Sequence, residues 1–168
     1  MSTHVAVNTY TYSVTFLSEK ILHSLKEIIR ESGLDPAKLA GSWASTQRAM
    51  STWLNTRDLY AVTLEVYKPS SDKLVLRWDI DVVYDAADGD GSMWVDNDDL
   101  YYAIKKAGVA PSACKYDVIL RTRNGRPDVE GWSSCEFRST EGMSRHAIGT
   151  MANASNGLGA RAAYWSHQ

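Results

Sequence analysis

The chain predicts an α+β fold: antiparallel strands with helices packed on one sheet face, followed by a long C-terminal strap. Three observations predict it. Apolar and polar residues alternate over 60–67 and again over 74–84, on either side of the turn Pro69-Ser70-Ser71-Asp72, as in a hairpin with one buried face and one more polar face. Leu17, Ile21, Leu22, Leu25, Ile28 and Ile29 form one stripe at helical spacing, with Lys20, Lys26, Glu27, Arg30 and Glu31 opposite. From residue 125 to 168 neither period is sustained, although six of the 11 glycines lie there beside Trp132, Phe137, Tyr164 and Trp165. A disordered tail would be poor in such aromatic side chains, so this segment reads as an ordered strap around a core.

The remaining elements follow in order. Residues 4–16, HVAVNTYTYSVTF, are rich in β-branched and aromatic types and read as extended. Ser18 is placed to cap the first helix, which Gly33 ends and Pro36 prevents from continuing. A second helix spans about 42–55, with Trp43, Met50, Trp53 and Leu54 on one side. After the hairpin and an acidic loop comes a third helix, 97–107, capped by Asp96 and stopped at Gly108. The third strand is 115–123. The chain is thus one domain over 1–168, with a core over 1–124 and the strap over 125–168.

Composition excludes several classes. Net charge is −2, with −4 over 1–108 and +2 over 109–168, so general attraction to nucleic acid or to anionic membrane is not expected. No apolar run of about 18 residues occurs, and no signal-like segment opens the chain; membrane association and secretion are not expected. Two cysteines, Cys114 and Cys135, suit a reducing cytoplasm better than a disulfide scaffold.

Candidate chemistry is thin. Eight aspartates lie between Asp79 and Asp99, and Asp88, Asp90, Ser92 and Asp99 fit positions 1, 3, 5 and 12 of a calcium loop. Met93 stands where that loop needs glycine, and position 12 lacks the bidentate glutamate, so no metal is expected. Asp79 and Asp81 point to one side of a strand, as carboxylates of two-metal phosphoryl-transfer enzymes and nucleases do. The Gly91-Ser92 turn follows that pair, where a nucleotidyltransferase would place it before. The enzyme reading therefore stands as the alternative to a non-enzymatic protein. No phosphate loop, nucleophile elbow, zinc spacing or cofactor motif occurs. Lys115, Arg121, Arg123 and Arg126 cluster without interleaved stacking aromatics, so direct nucleic-acid binding is not expected.

The third strand is the best candidate for function. If it ends the sheet, its free amides and carbonyls can accept an added peptide strand along Lys115, Tyr116, Asp117, Val118, Ile119, Leu120 and Arg121. The strap would either close over that peptide, with Trp132 and Phe137 as anchors, or stay docked and complete the core. Pattern leaves both open. The stretch Gly157-Leu158-Gly159 followed by Ala160 to Trp165 also suits a ligand tethered to its own chain.

YTYSVTF (10–16), SGLDP (32–36), DKLVLRWDIDVVY (72–84), DGDGSMWVDNDDLYYAIKKAG (88–108), KYDVILRTRNGRPDVEGW (115–132) and RSTEGM (138–143) together resemble bacterial HORMA-domain proteins. The resemblance is to the anti-phage (CBASS) group associated with cGAS-like nucleotidyltransferases. It implies a HORMA-like fold, a three-stranded antiparallel sheet backed by helices with a C-terminal safety belt. The belt would close on a closure-motif peptide, anchored by Trp132, Phe137, Tyr164 and Trp165. The closed form would then bind and activate the nucleotidyltransferase. An AAA+ remodelling ATPase would reopen it by engaging the N-terminal stretch that includes Val5, Val7 and Tyr10. A second HORMA protein is a further partner the resemblance suggests. No cofactor is implied.

Overall fold

The computed structural model describes residues 2–6, 10–84, 92–96, 98–111, 113–154 and 158–167. Its elements are β1 (Ser2–Ala6), α1 (Tyr10–Glu31), α2 (Ala37–Gly41), α3 (Trp43–Asn55), β2 (Leu59–Lys68), β3 (Lys73–Val83), β4 (Ser92–Asp96), α4 (Asp98–Ala107), β5 (Lys115–Thr122), β6 (Ser144–Ala154) and β7 (Gly159–Ser166). All strands join one antiparallel sheet in the order β1-β4-β6-β7-β3-β2-β5. The expected three-stranded unit, β3-β2-β5, is present, and four further strands extend it beyond β3.

The helix α1 begins at Tyr10, so the expected extended segment over 4–16 reaches only to Ala6 among the described residues. The apolar stripe explains this. Val14 lies three residues before Leu17, which lies four before Ile21, and all three are buried with Leu25, Ile28 and Ile29. Burying that continuous face outweighs the weak β preference of the TYTYSVT run. Ser18 is consequently inside the helix, not at its cap, and its hydroxyl donates to the Thr15 carbonyl at 3.0 Å. Gly33, at φ 82°, ends α1: Leu34 N–H reaches back to Ile29 O at 3.0 Å. Asp96, the expected cap of the third helix, ends β4 instead, and α4 starts with Asp98 and Asp99 in its first turn. The loop carrying Asp88 and Asp90 lies outside the described residues.

The core lies between the sheet and its helices. α1 and α3 contribute Leu17, Leu25, Met50 and Trp53, and the strands answer with Val62, Leu64, Leu76, Trp78 and Ile80. The opposite face of the hairpin is the more polar one, as expected, yet there Ala61, Thr63 and Glu65 of β2 are also buried. The C-terminal segment reaches this face, with Arg138 on Glu65 and Trp165 on the Asp79 carboxylate that Thr63 also holds. Its last part is regular: β6 and β7 form a hairpin whose β7 pairs with β3, from Arg77↔Trp165 to Val83↔Gly159. Two register shifts in that hairpin, one at Gly149 with φ 107°, and its many alanines blur the alternation that marks strands elsewhere. Among the described residues of the strap, 125–143 form the long irregular stretch expected of the whole. No described helix is long and apolar enough to cross a membrane.

Candidate functional site at the β5 edge

Among the described strands β5 pairs only with β2, so its other side is a free edge. Its side chains alternate between two environments. Tyr116, Val118 and Leu120 face the helices, whereas Asp117, Ile119 and Arg121 face the other way. The Tyr116 hydroxyl donates to Asp35 O at 2.6 Å and accepts from Leu39 N–H at 3.2 Å, fixing β5 to α2 and to the segment before it.

The strap crosses this edge from one sheet face to the other. On the helix face, Trp53 Nε1–H donates to Pro127 O at 2.8 Å, and Trp132 meets the Trp53 ring edge-on with centroids 6.2 Å apart. Trp132 Nε1–H donates to Ser45 Oγ at 3.2 Å, and Val129 is buried nearby. On the opposite face, Arg138 is held by three acids. Its Nη1 lies 2.8 Å from Glu65 Oε1 and 3.1 Å from Asp117 Oδ2, its Nη2 lies 3.0 Å from Asp72 Oδ1, and its backbone N–H donates to Glu65 Oε2 at 2.9 Å. The guanidinium also stacks on the Tyr67 ring at 3.5 Å. Since Trp132 and Arg138 are anchored on opposite faces, residues 133–137 must straddle the free edge.

Beneath them runs a space with two lobes, of about 660 and 740 Å³. Both lobes are lined by Val118, Ile119, Trp132 and Phe137, so they adjoin along β5. One opens toward Lys38, Tyr116 and Asp117, the other toward Arg121 and Arg126. An extended segment fits such a site through backbone hydrogen bonds to the edge, with side chains entering the lobes alternately.

Asp117 ties the strap's state to protonation. Burial alone would raise its pKa, but hydrogen bonds from Lys38 Nζ at 2.7 Å and from Arg138 outweigh that and hold the carboxyl below its ordinary value of 3.8. A depressed carboxyl stabilises the fold above that ordinary value, and the contribution is lost as pH falls through the lower folded value. Asp81, raised chiefly by burial and then by Asp79, has the opposite sign and gains on acidification. The expected outcome is therefore local: below about pH 4, amides of residues 136–140 should exchange faster while those of β2 and β3 stay protected. Hydrogen exchange across that range measures it.

The expected site residues divide accordingly. Tyr116 to Arg121 of β5 line the space, and Trp132 and Phe137 of the strap line it with them, whereas Lys115 lines a separate hollow beside Leu34, Asp35 and Tyr67. Phe137 is 37% exposed and lies between the Arg77 and Arg121 guanidiniums, 5.0 and 5.7 Å from its ring. Tyr164 and Trp165 lie elsewhere, in β7 on the far side of β3 and β2. Tyr164 stacks between Trp78 and His146, at 5.0 and 4.6 Å, and Trp165 Nε1–H donates to Asp79 Oδ2 at 3.0 Å. Residues 159–166 are thus built into the sheet, which overturns the reading of this tail as a tethered ligand at the β5 edge. At the N-terminus, Val5 pairs with Met93 in β1, the outer strand at the sheet's other end. Tyr10 donates its hydroxyl to Leu54 O at 2.7 Å, and Val7 lies outside the described residues.

Asp79 is occupied by protein donors. Thr63 Oγ1 and Arg77 Nε reach Oδ1 at 2.8 and 3.0 Å, and Trp165 takes Oδ2. No group of three potential metal ligands occurs among the described residues. The residue that sequence reasoning missed is Arg138. Its one visible signal was Glu65, the lone carboxylate of β2, in the middle of a strand whose other charged residue is the terminal Lys68.

Three solved structures share this architecture. A chain of the mitotic checkpoint complex superposes with a TM-score of 0.74 at 11% identity, covering 93% of this chain and 99% of that one. HTP-2 of C. elegans, bound to the HIM-3 closure motif, gives 0.71 at 13%, covering 96% and 93%. HTP-1 of C. elegans, bound to the same motif, gives 0.65 at 11%, covering 96% and 92%. At such identities the likeness establishes the fold, which is that of a HORMA domain. The family model for bacterial HORMA domain 2 matches residues 2–168, and the chain belongs to that family. No curated protein sequence matches it significantly.

Proposed function

We propose that this protein is a non-enzymatic signalling adaptor that clasps an extended closure-motif peptide of a partner. The peptide lies along Lys115 to Arg121 of β5, and residues 125–143 close over it. The observation that carries this reading is the free edge of β5 lying under a strap pinned on both sheet faces. The C. elegans relatives bound to closure motifs support it. The occupied carboxylate of Asp79 favours this reading over a metal-dependent phosphoryl-transfer enzyme using Asp79 and Asp81.

The resemblance of the stretches quoted above to the anti-phage group supports the finer assignment. In it the clasped form binds and activates a cGAS-like nucleotidyltransferase in the cytoplasm, and an AAA+ ATPase reopens it from the N-terminal strand. A second HORMA protein is the further partner this assignment admits. Ordering a peptide and a strap costs roughly 1–2 kcal/mol per fixed residue, so binding and strap closure are coupled.

Hydrogen exchange of the purified chain with and without candidate partner peptides tests the clasp. Protection of 115–122 and of the strap that arises only with peptide is the expected result. Peptides that bind while leaving those amides unchanged would exclude this edge as the site.

A further inference from the structure

The two ends of the space beneath the strap differ in charge. The lobe toward Tyr116 is lined by Asp72, Asp117 and Glu136 against Lys38 and Arg138. Both of its cations are already neutralised: Arg138 by Glu65, Asp72 and Asp117, Lys38 by Asp117 at 2.7 Å. The lobe toward the end of β5 is lined by Arg121, Arg123 and Arg126 against Asp128 alone. Arg126 pairs with that aspartate at 3.3 Å, and the aspartate is itself fully exposed. Arg121 and Arg123 form no ion pair among the described residues; they lie over the rings of Phe137 and Tyr60, at 5.7 and 5.3 Å. The carboxylate that Arg121 influences is Asp81, which Arg77 and Arg145 also influence.

We infer that this charge gradient sets the sequence preference of the clasped peptide and the direction in which it lies. The occupant is an extended segment of a partner protein with acidic side chains over Arg121, Arg123 and Arg126, and neutral or basic ones over Asp117 and Glu136. Arg121 and Arg123 are exposed at the rim of this lobe and Arg126 is half-buried there, so a carboxylate seated among them meets three guanidiniums at once, with a pull that salt weakens. The opposite orientation would place acids beside Asp72, Asp117 and Glu136 while leaving the arginines unanswered. Wrong-way binding is thus disfavoured by repulsion as well as by lost attraction. A nucleic-acid strand would also meet the arginines, but it would carry phosphates into the acidic lobe.

This inference rests on the peptide-clasping reading, and the test separates the two. A library of random peptides about 12 residues long, enough to span an eight-residue strand, is co-expressed with the full chain so that the strap closes in their presence. Bound sequences are compared for the wild type, R121E/R123E and the charge-conserving R121K/R123K, with thermal melts confirming that each is folded. Wild type should enrich Asp and Glu toward one end of the peptide, and affinity for such a peptide should fall about tenfold between 0.05 and 0.5 M salt. R121E/R123E should enrich Lys and Arg at that end, while R121K/R123K should keep the acidic preference. Peptides that protect 115–122 from exchange but show no charge bias, or the same bias for wild type and R121E/R123E, overturn the inference and leave the clasp standing. No peptide protecting that edge overturns both. A single-stranded oligonucleotide displacing the peptides at equal concentration would also overturn it, in favour of phosphate recognition.

Discussion

Replacing Arg138 by methionine is expected to lower stability by about 3–5 kcal/mol and to release the strap from the sheet. Glu65 is wholly buried and stands directly opposite Asp117 in the adjacent strand. Two carboxylates in that relation repel unless a cation bridges them, and Arg138 is that cation. Methionine retains much of the apolar stem over Tyr67 but removes every charged hydrogen bond, leaving a buried carboxylate unpaired. Thermal melting should show a drop of about 10 °C for a chain of this size. The second substitution Glu65→Gln should recover part of the loss, because it removes the unpaired charge. A loss in R138M below 1 kcal/mol, or no recovery in the double variant, would show that the acids are satisfied in another way. Proteolysis within 133–143 should accelerate in R138M even where the core remains folded.

Asp79→Ala carries the second large expectation. The substitution strips one carboxylate from Thr63, Arg77 and Trp165 together. Arg77 is 12% exposed, so it would be left as a largely buried cation, and a loss of about 3 kcal/mol or more follows. Trp165 should lose its hold on β3, so β7 amides should gain exchange before those of β2. D79N should be milder, because an amide oxygen can still accept from Arg77 while its nitrogen cannot accept from the indole. An enzyme using this carboxylate would instead show lost turnover with unchanged melting. Calorimetry of the two variants distinguishes these outcomes directly.

The elements legible in the chain were those whose burial is repeated by large apolar residues at one period. α1 from Leu17 onward, the β2–β3 hairpin and β5 belong to this group. Where residue type and period disagree, type misleads: the β-branched residues before Leu17 suggest a strand, yet Val14 shares the stripe of Leu17 and Ile21 and joins the helix. The β6–β7 hairpin was hidden for another reason. β7 meets the core with Ala160 and Ala162, residues too small to mark a strand, and the register shifts of β6 break its alternation. The candidate site was half legible. An edge strand can be inferred from its exit into an irregular segment, but the clamp joins residues 73 positions apart and depends on the strap's path. The placement of Tyr164 and Trp165 against β3 is of the same kind: an aromatic pair near the C-terminus announces an anchor without naming what it is anchored to.

The insertion of β7 between β6 and β3 has a mechanical consequence. Chain running from β5 around the free edge and back to β3 forms a loop closed by the pairing of β7 with β3, with Arg138 and Trp165 as side-chain clasps along it. Anything threaded through it with folded mass on both sides is held as a ring holds a rod. Its departure would then be timed by unzipping of the pairing from Arg77↔Trp165 to Val83↔Gly159, and would be largely insensitive to its own affinity for the β5 edge. Lifetime and binding strength become separate quantities, and a pulling force on either end of the chain would change the first without changing the second.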